Sequence, residues 1–300
     1  MDMTQNKCCR HGANLRRRRR RRRKILRSII FSCSIIVVAV FVAVGSSMIR
    51  SGDGRTNRYD VEAGNNTYDN AVIENSKISE KNKIQNNQSM LDDIMNSTQY
   101  PKQLKDIALK NEEALEFVYD YPAEHVKEHT IDLTEEASMD SVPLFVQWDK
   151  RWGYEKYSGN FFAASGCGPT TLSMVVVYLT HNREASPIAV AKYSKEAGYS
   201  VDGSGSSWTL ISEGCRHYGV KAKAVALDES RMKAELDKGH PIVVNVGPGD
   251  FTDTGHFMVI TGYDDEGFSI NDPNSIEKSG KRWLFKNISS QIRAVWSMYV

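Results

Sequence analysis

Three hundred residues could hold two domains, yet the net charge of only +2 excludes a uniformly basic nucleic-acid-binding chain. That near-neutral total conceals two opposed regions. Residues 1–50 carry thirteen Lys or Arg against Asp2 alone, a net +12, which leaves −10 for residues 51–300.

The basic region opens the chain. In isolation the run from Arg16 to Lys24 reads as a nucleic-acid or nuclear-import patch. The neighbouring segment favours another reading: residues 29–49 are twenty-one uncharged, mostly apolar positions, enough to cross a bilayer as one helix. Arginines ahead of such a span hold the N-terminus in the cytoplasm. The sequence therefore predicts a basic cytoplasmic tail (1–28), a signal anchor (29–49) and everything later outside, in a single-pass cell-membrane protein with no nucleic-acid partner. Ala43-Val44-Gly45 also fits a signal-peptidase site, which would release the remainder. Cys8 and Cys9, at the membrane, are candidates for acylation.

Residues 50–100 are rich in Asn, Ser, Asp, Lys and Glu with little apolar periodicity, and predict a disordered tether. Three Asn-X-Ser/Thr triplets there carry little weight in an Asn-rich tract. From Pro101 a helical arm (101–142) is expected. Leu104, Ile107 and Ala108 mark one short helix; Asn111 caps a second bearing Leu115, Phe117 and Val118, which Pro122 ends.

Residues 143–300 read as one mixed domain. An apolar strand ends at Gln147, and a long buried helix follows Cys167 with Pro169 in its first turn. Ser186-Pro187 opens a helix closing near Gly198, another spans residues 207–218, and residues 221–227 alternate as a strand. Asp228 caps a helix ending at Gly239, and residues 241–246 form an apolar strand. Residues 256–263 and 267–271 pair across the turn Asp264-Asp265-Glu266-Gly267. Helices first and antiparallel strands later give the α+β class. Trp208, Ile211, Cys215 and Tyr218 recur at helical spacing, which makes Cys215 a buried, reduced core residue rather than a disulfide partner of Cys167.

Cys167 sits at the mouth of its helix, where unpaired N–H groups favour a thiolate, and Gly166 and Gly168 leave room for a substrate backbone. A cysteine nucleophile needs a base and a group that orients that base. Of seven histidines two remain as candidates: His240, between Gly239 and Pro241, reads as a solvated surface residue, whereas His256 follows Gly255 and opens an apolar strand, with Asp272 across the expected hairpin. Gln147 supplies a side-chain amide for an oxyanion beside the Cys167 N–H. Asp264 and Asp265 lack the further ligands of a calcium loop, and no cofactor is expected.

Gln147-Trp148-Asp149-Lys150-Arg151-Trp152-Gly153, Ser165-Gly166-Cys167-Gly168-Pro169, Gly255-His256-Phe257 and Asn271-Asp272-Pro273 together resemble the papain-like cysteine peptidases related to bacteriocin leader-processing domains, the C39-like group. The resemblance spans about residues 143–300. It implies a papain-like fold with Cys167 as nucleophile, His256 as base, Asp272 as orienting group and Gln147 as oxyanion donor, acting on a peptide or protein substrate. Unlike leader-processing members, this chain carries no transporter or ATP-binding module. Two other readings stay open: an amidase acting on peptidoglycan cross-bridges, and a non-catalytic peptide-binding module of the same fold. Removal of residues 1–50 is expected to leave hydrolytic activity intact while abolishing sedimentation with membranes; loss of activity instead would point back to the arginines.

Overall fold

The computed structural model describes residues 66–300. The tail, the expected 29–49 anchor with its cleavage site, and Cys8, Cys9 and Cys33 lie outside the described residues. Among the described residues no helix is long and apolar enough to cross a membrane.

The first described element corrects the tether. Asn66–Asn96 is a helix, α1, and its last turns are anchored because Met90, Leu91 and Ile94 recur at i, i+1 and i+4 and pack on the arm. The polar average of the segment masks this short stripe. Ile94 is fully buried, and Asn87 Nδ2 donates to Glu112 Oε1 at 2.9 Å. The arm continues with α2 (Lys102–Ala108), a 3-10 turn at Glu112–Ala114 capped by Asn111, and α3 (Leu115–Tyr119). Pro122 does not end the helical path. It occupies the first turn of a further helical segment, Tyr121–Glu124, where its missing N–H costs nothing.

The domain's centre is α4 (Cys167–Thr180), buried on nearly every side from Gly168 to Val177. That all-round burial suits a sequence apolar at almost every position. Beside it runs α5 (Pro187–Glu196), capped by Ser186, whose Oγ accepts from Ala189 N. Residues 207–218 are not one helix: Thr209–Ser212 is α-helical and Gly214–Tyr218 is 3-10, with the path broken at Glu213. A Cβ at Gly214 would lie 3.0 Å from the Tyr199 ring, so the backbone here is pressed against a neighbour. Cys215 is nonetheless fully buried and unpaired, and burial pushes its thiol up to about 11. Trp208 leaves the stripe, exposed and edge-on to Trp296.

Six strands form the main sheet: β1 (Lys221–Ala224), β2 (Ile242–Val246), β3 (His256–Asp264), β4 (Gly267–Asn271), β5 (Arg282–Trp283) and β6 (Ile292–Tyr299). Their spatial order is β1-β6-β2-β3-β4-β5, all antiparallel. The expected strand at 221–227 stops at Ala224, and the C-terminal β6, unassigned from sequence, inserts between β1 and β2. Alternation along β2 and β3 divides two cores. Val243, Phe257 and Val259 join Leu172 and Val175 of α4, whereas Ile242, Val244, Met258 and Ile260 pack with Met232 of α6 (Glu229–Leu236). Gly267 closes the β3–β4 turn at φ +135, where a Cβ would sit 2.6 Å from Trp283 O.

The expected strand ending at Gln147 is also corrected. Residues 142–147 join no ladder. Pro143 has no N–H to donate, and the segment is held instead by Asn271 Nδ2, which donates to Val142 O and Pro143 O, each at 3.0 Å.

Ile94→Ala is expected to lower stability by about 2–5 kcal/mol, read as a drop in the urea midpoint. A neutral substitution would restore the flexible-tether reading for the end of α1.

Candidate active site

The sheet brings two of the expected site residues together. Asn271 pairs with Val259, so Asp272, one residue past β4, lies near the start of β3, where His256 pairs with Val246. His256 Nε2 and Asp272 Oδ1 are 2.7 Å apart, with Asp272 fully buried and His256 nearly so. Asp272 Oδ1 also accepts from Asn274 N at 2.8 Å, while Asp272 N donates to Ser279 Oγ at 2.9 Å. Asp272 Oδ2 is buried without a hydrogen-bond partner among the described residues. Because the carboxylate engages Nε2, the other ring nitrogen, Nδ1, is left to face the thiol.

Cys167 is the first residue of α4 and is half-buried as a residue. Burial pushes the thiol up. The hydrogen bond to His256, the charge on that ring and the N–H groups of Phe257 and Gly168 outweigh it, so the thiol titrates below its ordinary value. His256 responds in the opposite sense. Burial alone would push it down, but the charge and hydrogen bond of Asp272, followed by those of Cys167, raise it above the ordinary imidazole value. The two groups thus shift in opposite senses, the thiol downward and the imidazole upward, as coupled neighbours do when each favours the other's charged form.

The glycines flanking Cys167 do not open space for a substrate. A Cβ at Gly166 would lie 2.5 Å from the Phe162 ring, and one at Gly168 would lie 2.6 Å from Ser206 Oγ. They are close-packing positions that let α4 enter the core beside the 200–210 segment.

Gln147 is buried, and its backbone N–H donates to Pro273 O at 2.7 Å, next to Asp272. Its Nε2 donates to Ala163 O at 2.6 Å, four residues ahead of the thiol, and Oε1 has no partner among the described residues. One of the two amide N–H groups is thus engaged by the backbone just ahead of Cys167. The rest of its motif is structural. Asp149 accepts from Arg151 N, Nε and Nη2, Arg151 Nη1 reaches Glu136, and Trp152 Nε1 donates to Val146 O at 2.9 Å. Sequence alone assigned no part to Trp148, whose Nε1 donates to Asn274 O at 3.2 Å and ties this loop to the Asp272 loop. His240 lies elsewhere, paired with Glu235 and stacked on Tyr299.

Comparison with known proteins agrees with this arrangement at the level of the family. The chain belongs to the Peptidase_C39-like family, whose family model matches residues 139–300, just over half of the sequence. The family and the α+β architecture define a cysteine-peptidase-like domain. No curated protein matches the chain. Among solved structures it is similar to the peptidase domain of Streptococcus ComA, described as a bi-functional ABC transporter involved in a quorum-sensing pathway, at 19% identity and TM-score 0.38 over 53% of this chain and 96% of that one. It is also similar to a C39-like peptidase from Bacillus anthracis, at 18% identity and TM-score 0.33 over 53% and 95%.

Iodoacetamide should alkylate Cys167 at lower pH than it does an ordinary cysteine, because a thiol held below its ordinary value ionises earlier. His256→Ala should move the midpoint of the pH–rate profile toward that of an ordinary thiol, about 8.5. An unchanged profile would remove His256 from the thiol's environment.

Proposed function

We propose that this protein is an extracytoplasmic cysteine peptidase, tethered to the membrane by residues 29–49, that hydrolyses peptide bonds through a thioester on Cys167. The observation that carries the reading is the 2.7 Å His256–Asp272 pair, placed beside a thiol at the head of α4. The anchor is inferred from the arginine-flanked apolar span.

In this reading the Cys167 sulfur attacks the scissile carbonyl carbon while His256 carries the proton. The carbonyl oxygen gains the negative charge and accepts hydrogen bonds from the Cys167 N–H and the remaining N–H of Gln147 Nε2. When the tetrahedral centre collapses, the carbon–nitrogen bond breaks and His256 gives its proton to the leaving amine. A water then loses a proton to His256 as it attacks the thioester, and the second collapse releases the acid and restores the thiolate. Asp272 holds the ring with Nε2–H toward itself and stabilises the imidazolium in both halves.

The test is a peptide-library digest by the full chain, with products identified by mass spectrometry. Wild-type protein should release peptides with new termini, and Cys167→Ala should release none while keeping its thermal midpoint. Gln147→Ala should lower kcat by about 100-fold or more with little change in KM. Equal product from Cys167→Ala would end the assignment, and ligand binding without turnover in wild type would favour a binding module.

A further inference from the structure

We infer that the helical arm is a positioning element for the site, with Glu113 and Asn111 holding the loop that carries Asp272. This rests on the reading of Asp272 as the group that orients His256. The Glu113 carboxylate accepts from the Ser275 hydroxyl, from Ile276 N at 2.7 Å and from Glu277 N at 3.0 Å. Asn111 Nδ2 donates to Asn274 O at 2.9 Å and to Asn274 Oδ1 at 3.2 Å, and Asn111 Oδ1 accepts from Glu113 N at 3.0 Å. Two arm side chains, one of them also capping the backbone of the other's residue, therefore grip four consecutive loop residues, 274–277, more than 160 positions later in the chain.

The grip continues to the carboxylate. Asn274 N donates to Asp272 Oδ1, the oxygen that also meets His256 Nε2. Ser275 O accepts from Ser279 Oγ at 2.7 Å, and the same Oγ accepts from Asp272 N. Apolar packing offers this loop little alternative hold, because Ile276 is half exposed and the helical turn Ile276–Ser279 buries none of its residues. A loop held by polar contacts moves when those contacts go. Asn111 and Glu113 lie ahead of residue 139, where the family match begins, so this clamp belongs to the extension rather than to the matched domain.

Loosening the clamp lets Asp272 drift from Nε2, which weakens the imidazolium and returns the thiol toward its ordinary pKa. A contact that only stabilised the fold would lower the melting temperature without moving a titration. The experiment is the pH–rate profile of Cys167 alkylation by iodoacetamide in the full-length chain in detergent, comparing wild type, Glu113→Gln, Asp272→Asn and the double variant. Glu113→Gln keeps the volume but removes the charge and one of the two acceptor oxygens, so the Ser275 hydroxyl and the two backbone N–H groups can no longer all donate to it. It should slow alkylation at neutral pH by roughly 2- to 30-fold and move the midpoint upward, in the same direction as Asp272→Asn. The double variant should move it no further than Asp272→Asn alone, because both act through one group. If Asp272→Asn moves the midpoint and Glu113→Gln leaves it at the wild-type value, the clamp is refuted while the triad stands. If Asp272→Asn itself has no effect, the orienting role and the clamp fall together. Should Glu113→Gln lose its cooperative melt, Asn111→Ser decides in the same assay, since serine preserves a cap but drops both bonds to Asn274.

Discussion

His256 and Asp272 share a hydrogen bond in which the carboxylate is fully buried and the imidazole nearly so, and the surrounding structure is organised to hold it. A fully buried carboxylate is costly unless its charge is matched, and an imidazole in the same surroundings resists protonation. Each relieves the other: the carboxylate favours the imidazolium, and the imidazolium compensates the carboxylate. The thiol at the start of α4 is then coupled to a ring already biased toward carrying a proton. The pair requires two strand ends at fixed separation. The β3–β4 hairpin provides that, closed by a turn in which Gly267 adopts a φ that side chains avoid.

Packing supplies the rest of the geometry. α4 can present its first turn to the strand ends because its body is buried almost all round and cannot rotate without exposing apolar residues. Gly166 and Gly168 let Phe162 and Ser206 close on that first turn, so the backbone to either side of Cys167 is closely packed. Gln147 is held through its backbone N–H by Pro273 O and through its side-chain amide by Ala163 O, and the Asp149–Arg151–Glu136 set braces the turn that follows it. These are polar devices in a largely apolar domain, and they concentrate around the site, where a charge pair needs orientation more than it needs buried area.

Local patterns made part of this readable from the chain. Serine, aspartate and asparagine caps before apolar runs located α5, α6 and the arm turn, and period-two alternation with a turn sequence located β3 and β4. Cys167, His256 and Asp272 were legible because each sits at the edge of such an element. Features set by distant contacts were not. The break at Glu213 falls beside Gly214, which packs closely on the Tyr199 ring, and the end of α1 is fixed by a stripe of three residues in a polar tract. The flanking glycines read as open space, yet their environment comes from residues 162 and 206. β6, unassigned from sequence, takes its interior place from pairings with both β1 and β2. The grip of Asn111 and Glu113 on residues 274–277 has no local signature, since each reads as an ordinary cap or surface acid.

The central claim is that the buried aspartate makes the resting site a thiolate–imidazolium pair. Nitrogen NMR of the His256 ring in the full chain at neutral pH tests it directly. Both ring nitrogens should show imidazolium shifts in wild type, and Asp272→Asn should return the ring to a neutral form. A neutral ring beside a protonated Cys167 in the wild-type protein would contradict it.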